Sequence, residues 1–185
     1  VRYGKRVSIH APRLRGDVLM EMLDKQAIGG CPTIIIKREV TDRVGYFDES
    51  LPRGNDGDFI RRVCRQYNVD YVPEILARIY IDHEDRISVN SKENLRNVIK
   101  AKKTRLRKFS DDFSQYPVLH TRVLMQIAKE YLQVRQPINA IQWFWKSLFQ
   151  APSLSVFFKE FFRILHKSLP GAFPLSAKRT LRSVI

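Results

Sequence analysis

Six carboxylates crowd the twenty residues from Glu39 to Asp58, against two arginines, in a chain whose 33 Lys and Arg outweigh 19 Asp and Glu to a formal charge of +14. The densest part reads Gly45-Tyr46-Phe47-Asp48-Glu49, then six residues, then Asp56-Gly57-Asp58-Phe59. Carboxylates gathered against the overall charge, on a loop punctuated by Gly and Pro, suit a site. Their natural chemistry is general-base work, in which a carboxylate takes the proton of a hydroxyl as that hydroxyl attacks. The same residue types also close turns and cap helices. On their own, Asp48 fits a turn, and Asp56 or Asp58 fits the start of the following helix.

Other chemistries find little footing. There is no GxxxxGK[ST], no GxGxxG after a strand, no HExxH and no GxSxG. His10, His83, His120 and His166 are scattered, and no Cys/His spacing suggests zinc. Cys31 and Cys64 stand apart in apolar surroundings and read as small buried hydrophobes in a reducing setting.

The elements that would position the acids follow from periodicity. Val1 to His10 alternates like the end of a strand, and Gly16 to Lys25 spaces its apolar residues for a short helix. Thr33-Ile34-Ile35-Ile36, within Cys31 to Val40, is a β-branched run expected to be a buried strand. A single helical turn is expected over Thr41 to Val44, closed by Gly45. Asp58 to Tyr67 has a helical stripe of Phe59, Ile60 and Val63 opposite arginines. Val69 to Ile81 reads as two extended pieces around Pro73. Ser91 caps a long basic helix running to about Phe109, with Leu95, Val98, Ile99, Leu106 and Phe109 inward. Asp111-Asp112 and Pro117 mark a break.

These motifs, in this order, resemble the C-terminal half of the catalytic domain of family 2 glycosyltransferases, over about Gly16 to Asn90. The family's usual pattern is Gly-Gly/Tyr-Phe-Asp-Glu, then Glu-Asp-x-Asp-Leu with an Arg four residues on, then Val-Pro and Tyr-Arg-x-His. The resemblance implies an α/β architecture, part of the Rossmann-like GT-A fold, over residues 1–112. It implies an inverting, nucleotide-sugar-dependent transfer to a glycan or lipid-linked acceptor. Asp56 matches the family's base; Phe47, Asp48 and Glu49, with Asp58, match its acceptor side. Arg62 matches the supporting arginine, and His83 a histidine near the diphosphate or its metal. Two positions depart from the pattern, Asn55 where Glu is usual and Ile81 where Arg is usual. A divalent metal, Mg or Mn, is implied, with ligands mainly in the family's donor-binding half. Fifteen residues precede Gly16 and none resembles that half. With Val1 in place of Met, the chain therefore reads as a fragment of such an enzyme.

From residue 113 to 185 the pattern turns helical. Tyr131, Ala140, Phe144 and Pro152 resemble one tetratricopeptide repeat over about 121–154. A single helix pair cannot bury its own apolar face and needs a neighbour or a partner. The Phe-rich stretch from Ser155 to Leu169 suits either a covering helix or an interfacial helix on an anionic membrane. Nine Lys or Arg between Arg86 and Lys108 against one acid, Glu93, favour polyanions of any kind. No aromatics interleave them as single-strand stacking would need, so specific nucleic-acid binding is not expected. The expected setting is cytoplasmic, peripheral on the cytoplasmic membrane face. The rival expectation is a non-catalytic helical adaptor, with the acidic loop structural.

Overall fold

The computed structural model describes residues 13–25, 27–78 and 91–166. Among them the regular structure is helical: α1 (Leu19–Asp24), α2 (Arg38–Val44), α3 (Asn55–Cys64), α4 (Lys92–Lys108), α5 (Ser110–Gln115), α6 (Pro117–Gln133), α7 (Pro137–Gln150) and α8 (Leu154–His166). This overturns the expected α/β class. The described residues contain no sheet, only an isolated antiparallel bridge between Gly16 and Val69. The strand ends expected over Val1 to His10, and Ile79 and Ile81, lie outside the described residues.

The expected strand at Thr33–Ile36 fails for a physical reason. Cys31–Thr33 forms a 3-10 turn, in which the Thr33 amide and hydroxyl both donate to Gly30 O at 2.9 Å. Beyond it the backbone is extended, and the period of two survives. Ile34 packs toward Val18 and Met22, Ile36 toward Val40, and Ile35 between them is 95% exposed. An extended segment becomes a strand only through a ladder with a neighbour. Among the described residues none lies alongside. Val72, Ile75 and Leu76 are likewise exposed instead of paired.

The helices form where local chemistry supports them. Ser91 Oγ accepts the Asn94 amide at 3.0 Å, Glu93 sits in the first turn of α4, and Arg105, Arg107 and Lys108 sit in the last. Cap and charges both complement the helix dipole. α2 begins three residues earlier than expected and ends at Gly45, whose φ of 77° suits glycine. The expected break at Asp111-Asp112 is instead α5, with those acids at its N-terminal end, where the dipole favours them. Pro137 opens α7 where its missing N–H costs nothing.

Three apolar clusters hold the helices together. The largest joins Leu23 of α1, Ile99 of α4, Phe109 beyond it, Phe113 of α5 and Leu119, Val123 and Ile127 of α6. It runs without interruption across position 112. The second packs α1 on α3 through Met22, Ile60 and Cys64, and the third packs α2 on α3 through Val40, Phe59 and Val63. Cys64 is buried, which pushes its thiol up to about 11, whereas Cys31 is exposed, contrary to its expected burial. Arg61 is buried between α1 and α3, donating through Nε to Met22 O at 2.6 Å.

A buried ionic clamp ties α1, α6 and α8. Arg122 of α6 grips Glu160 of α8 through two parallel bonds, Nε to Oε2 at 2.7 Å and Nη2 to Oε1 at 2.8 Å. Its Nη1 meets Asp24 Oδ1 at 2.8 Å. Glu160 is 2% exposed, so α8 turns one carboxylate and Phe157 inward and leaves Phe158 and Phe162 outside. The Phe-rich stretch, expected to set Phe157, Phe158, Phe161, Phe162 and Leu165 on one apolar face, is thus split between inside and outside. Phe157 and Phe161 meet Phe144 of α7 edge-on, with ring centroids 5.3 and 5.9 Å away.

Candidate functional site

The acidic loop folds over α3 because two cations hold it there. Arg62, on the third turn of α3, donates through Nε to Asp58 Oδ2 at 3.1 Å. Its other nitrogens collect the last carbonyl of α2, Val44 O, and the two that follow it, Gly45 O at 3.3 Å and Tyr46 O at 2.5 Å. A planar guanidinium suits this work, since its donors diverge in a fixed fork. Lys108, the last residue of α4, bridges Asp48 Oδ2 at 2.7 Å and both oxygens of Asp58 at 3.0 Å. Asp48 also closes its own turn, accepting the Ser50 amide at 3.0 Å and hydroxyl at 2.6 Å. Asp48 is thus the turn residue of the loop and, through Lys108, its tie to α4.

The structure places the sequence-derived candidates unequally. Asp48, Asp58 and Arg62 share one network. Asp58 is buried, so its carboxylate fixes the loop and does not face an acceptor. Phe47 stacks at a tilt on Phe59, centroids 4.8 Å apart, and remains half-exposed beside the exposed Tyr46. Glu49 is exposed. Asp56 lies in the first turn of α3, partly exposed, with Oδ1 accepting the Gly57 amide at 2.7 Å. Helical spacing puts Phe59 on the same side of α3 as Asp56. His83 lies outside the described residues. Lys108 escaped the sequence reading because only the fold brings it sixty residues back to Asp48; within α4 it looks like any other lysine.

No group of three or more His, Cys, Asp or Glu suited to a metal occurs among the described residues. The donor set here also argues against one: Asp48 and Asp58 already face Lys108 and Arg62, which would repel a dication. These residues do not fit the implied Mg or Mn.

Lys108, and then the Ser50 hydroxyl, hold the Asp48 carboxyl well below the usual carboxylate range. The linkage has a definite sign. A depressed folded-state pKa contributes stability present above the ordinary aspartate value of about 4, lost as pH falls toward the lower folded value. Thermal melts from about pH 7 to about pH 2 should therefore fall more steeply for the wild type than for Lys108→Gln. Parallel curves would show that the pair contributes nothing.

Comparison with protein-family models, with curated proteins and with solved structures gives no match. Among the described residues, no helix is long and apolar enough to cross a membrane.

Proposed function

We propose that this chain carries the acceptor side of an inverting, nucleotide-sugar-dependent glycosyltransferase, with Asp56 as the base. The observation that supports this reading is the division of labour within Asp56-Gly57-Asp58. Asp58 is buried and tied to Lys108 and Arg62, while Asp56, two residues earlier, stays at the rim. The same loop exposes Tyr46 and, beside Phe59, Phe47, and an aromatic face suits the C–H face of a sugar ring. Asp56 would take the proton of an acceptor hydroxyl as its oxygen attacks the anomeric carbon of the donor. The nucleoside diphosphate leaves with the bonding electron pair. Arg62 and Lys108 act only by holding the loop in place.

In the full-length gene product, Asp56→Asn should lower nucleotide-sugar turnover by about 10²- to 10⁴-fold at unchanged melting temperature. Undiminished turnover would refute the assignment.

A second reading, a helical adaptor, has its own support. α7 presents Ile138, Ile141, Trp145 and Phe149 at spacings of three, four and four, all exposed. α8 adds Leu154, Phe158, Phe162 and Leu165. Two apolar stripes on neighbouring helices suit a protein partner or an anionic membrane surface. A chain without nucleotide-sugar turnover, wild type included, would favour this reading.

A further inference from the structure

The basic face of α4 is concave where it meets the α6–α7 connection. Arg96, Lys100, Lys103 and Arg107 recur at spacings of four, three and four and line an open groove of about 440 Å³. Ile99 forms part of its floor, and Thr104, Tyr131 and Gln136 add hydroxyl and amide groups. Among the described residues, no Asp or Glu lines it. Lys100 meets Ser50 O at 3.2 Å and Lys103 the Trp143 ring at 5.8 Å, and neither neighbour is negatively charged. Four like charges over a partly apolar floor hold a positive potential that solvent screens less than on a flat surface.

The far wall is formed by a defined turn. Arg135 takes a φ of 60°, the Gln136 amide donates to Tyr131 O at 2.9 Å, and the Arg135 amide donates to Leu132 O at 3.0 Å. This Schellman pattern satisfies carbonyls at the end of α6 that would otherwise repel an anion. Gln136 is also the N-cap of α7, so the positive end of that helix dipole opens at the groove. The groove is thus a cationic bed whose far wall carries hydroxyl and amide groups.

We propose that this groove is a binding site for a phosphate or diphosphate group. The group belongs either to a lipid headgroup or to a soluble phosphorylated ligand. Arg96 and Arg107 supply forked donors that match phosphate oxygens, and Lys100 and Lys103 supply point charges. The proposal is independent of Asp56 and of any transfer reaction. It shares with the membrane reading only the lipid arm of its test.

Two probes separate the sources in the full chain: titration with inorganic pyrophosphate, and flotation with vesicles of phosphatidylglycerol and phosphatidylcholine. The test variant is Arg96→Gln with Lys103→Gln. The control, Arg38→Gln with Lys92→Gln, removes the same charge from exposed positions outside the groove. Loss of about tenfold or more in affinity for either probe, in the test variant but not the control, supports the site. Pyrophosphate binding without flotation identifies a soluble ligand, and flotation without pyrophosphate binding identifies a headgroup. Equal losses in both variants would reduce the effect to net charge and overturn the proposal, as would wild type that binds neither probe.

Discussion

Arg122→Met is expected to lower the unfolding free energy by about 3–5 kcal/mol, because it strands a buried carboxylate. Glu160 loses both bonds of its fork, and what remains is Arg163, 3.5 Å away and itself largely exposed. Asp24 loses the same partner, so α1 and α8 loosen from α6 together. The cost is the desolvation of Glu160 left unanswered, not the net worth of the ion pair. The double variant Arg122→Met/Glu160→Met therefore recovers part of the loss, since an apolar pair needs no water. Urea denaturation of the two single variants and the double variant measures this. A double variant as unstable as the sum of the singles would mean that the two side chains act independently.

Phe113→Ala should cost about 3–5 kcal/mol in the same assay. Its ring is fully buried in the cluster that joins α1, α4, α5 and α6, and its neighbours have little room to collapse into the space. The cluster contains residues from both sides of the organisational boundary placed near 112, so the result tests how they are joined. A single, uniformly shifted unfolding transition is expected. A loss under about 1 kcal/mol would show that the helices around Phe113 do not depend on a shared core.

Much of the helical half of the structure can be read directly from residue type. Ser91, Pro137 and the i, i+4, i+8 spacing of Leu119, Val123 and Ile127 each reflect an interaction a few residues long. The α/β expectation comes with the resemblance and places strands at Thr33–Ile36 and within Val69 to Ile81; at Thr33–Ile36 and at the described Val72, Ile75 and Leu76 composition misleads. A β-branched run specifies an extended backbone, and Ile34 and Ile36 do alternate inward around Ile35. Whether it becomes a sheet depends on a neighbour elsewhere in the chain, which periodicity does not encode. The same limit applies at the acidic loop. The Asp58–Arg62 pair is an i, i+4 contact and visible in advance, whereas Lys108 reaches Asp48 only through the packing of α4. Glu160 is hidden for a related reason. A glutamate among phenylalanines on α8 reads as the polar side, and only Arg122 on another helix turns it inward.

Lys100 carries a consequence of its own. Its ammonium belongs at once to the basic groove and to the acidic loop, where it donates to Ser50 O, one residue past the Glu49 of the Asp48 turn. If the groove takes an anion as proposed, that anion and Ser50 O share one ammonium, whose three donors must then divide between them. Any competition for Lys100 would link groove occupancy to loop order, and linkage runs equally in both directions. An anion that draws Lys100 away would slacken the loop, and a tighter loop would weaken the hold on the anion by the same factor.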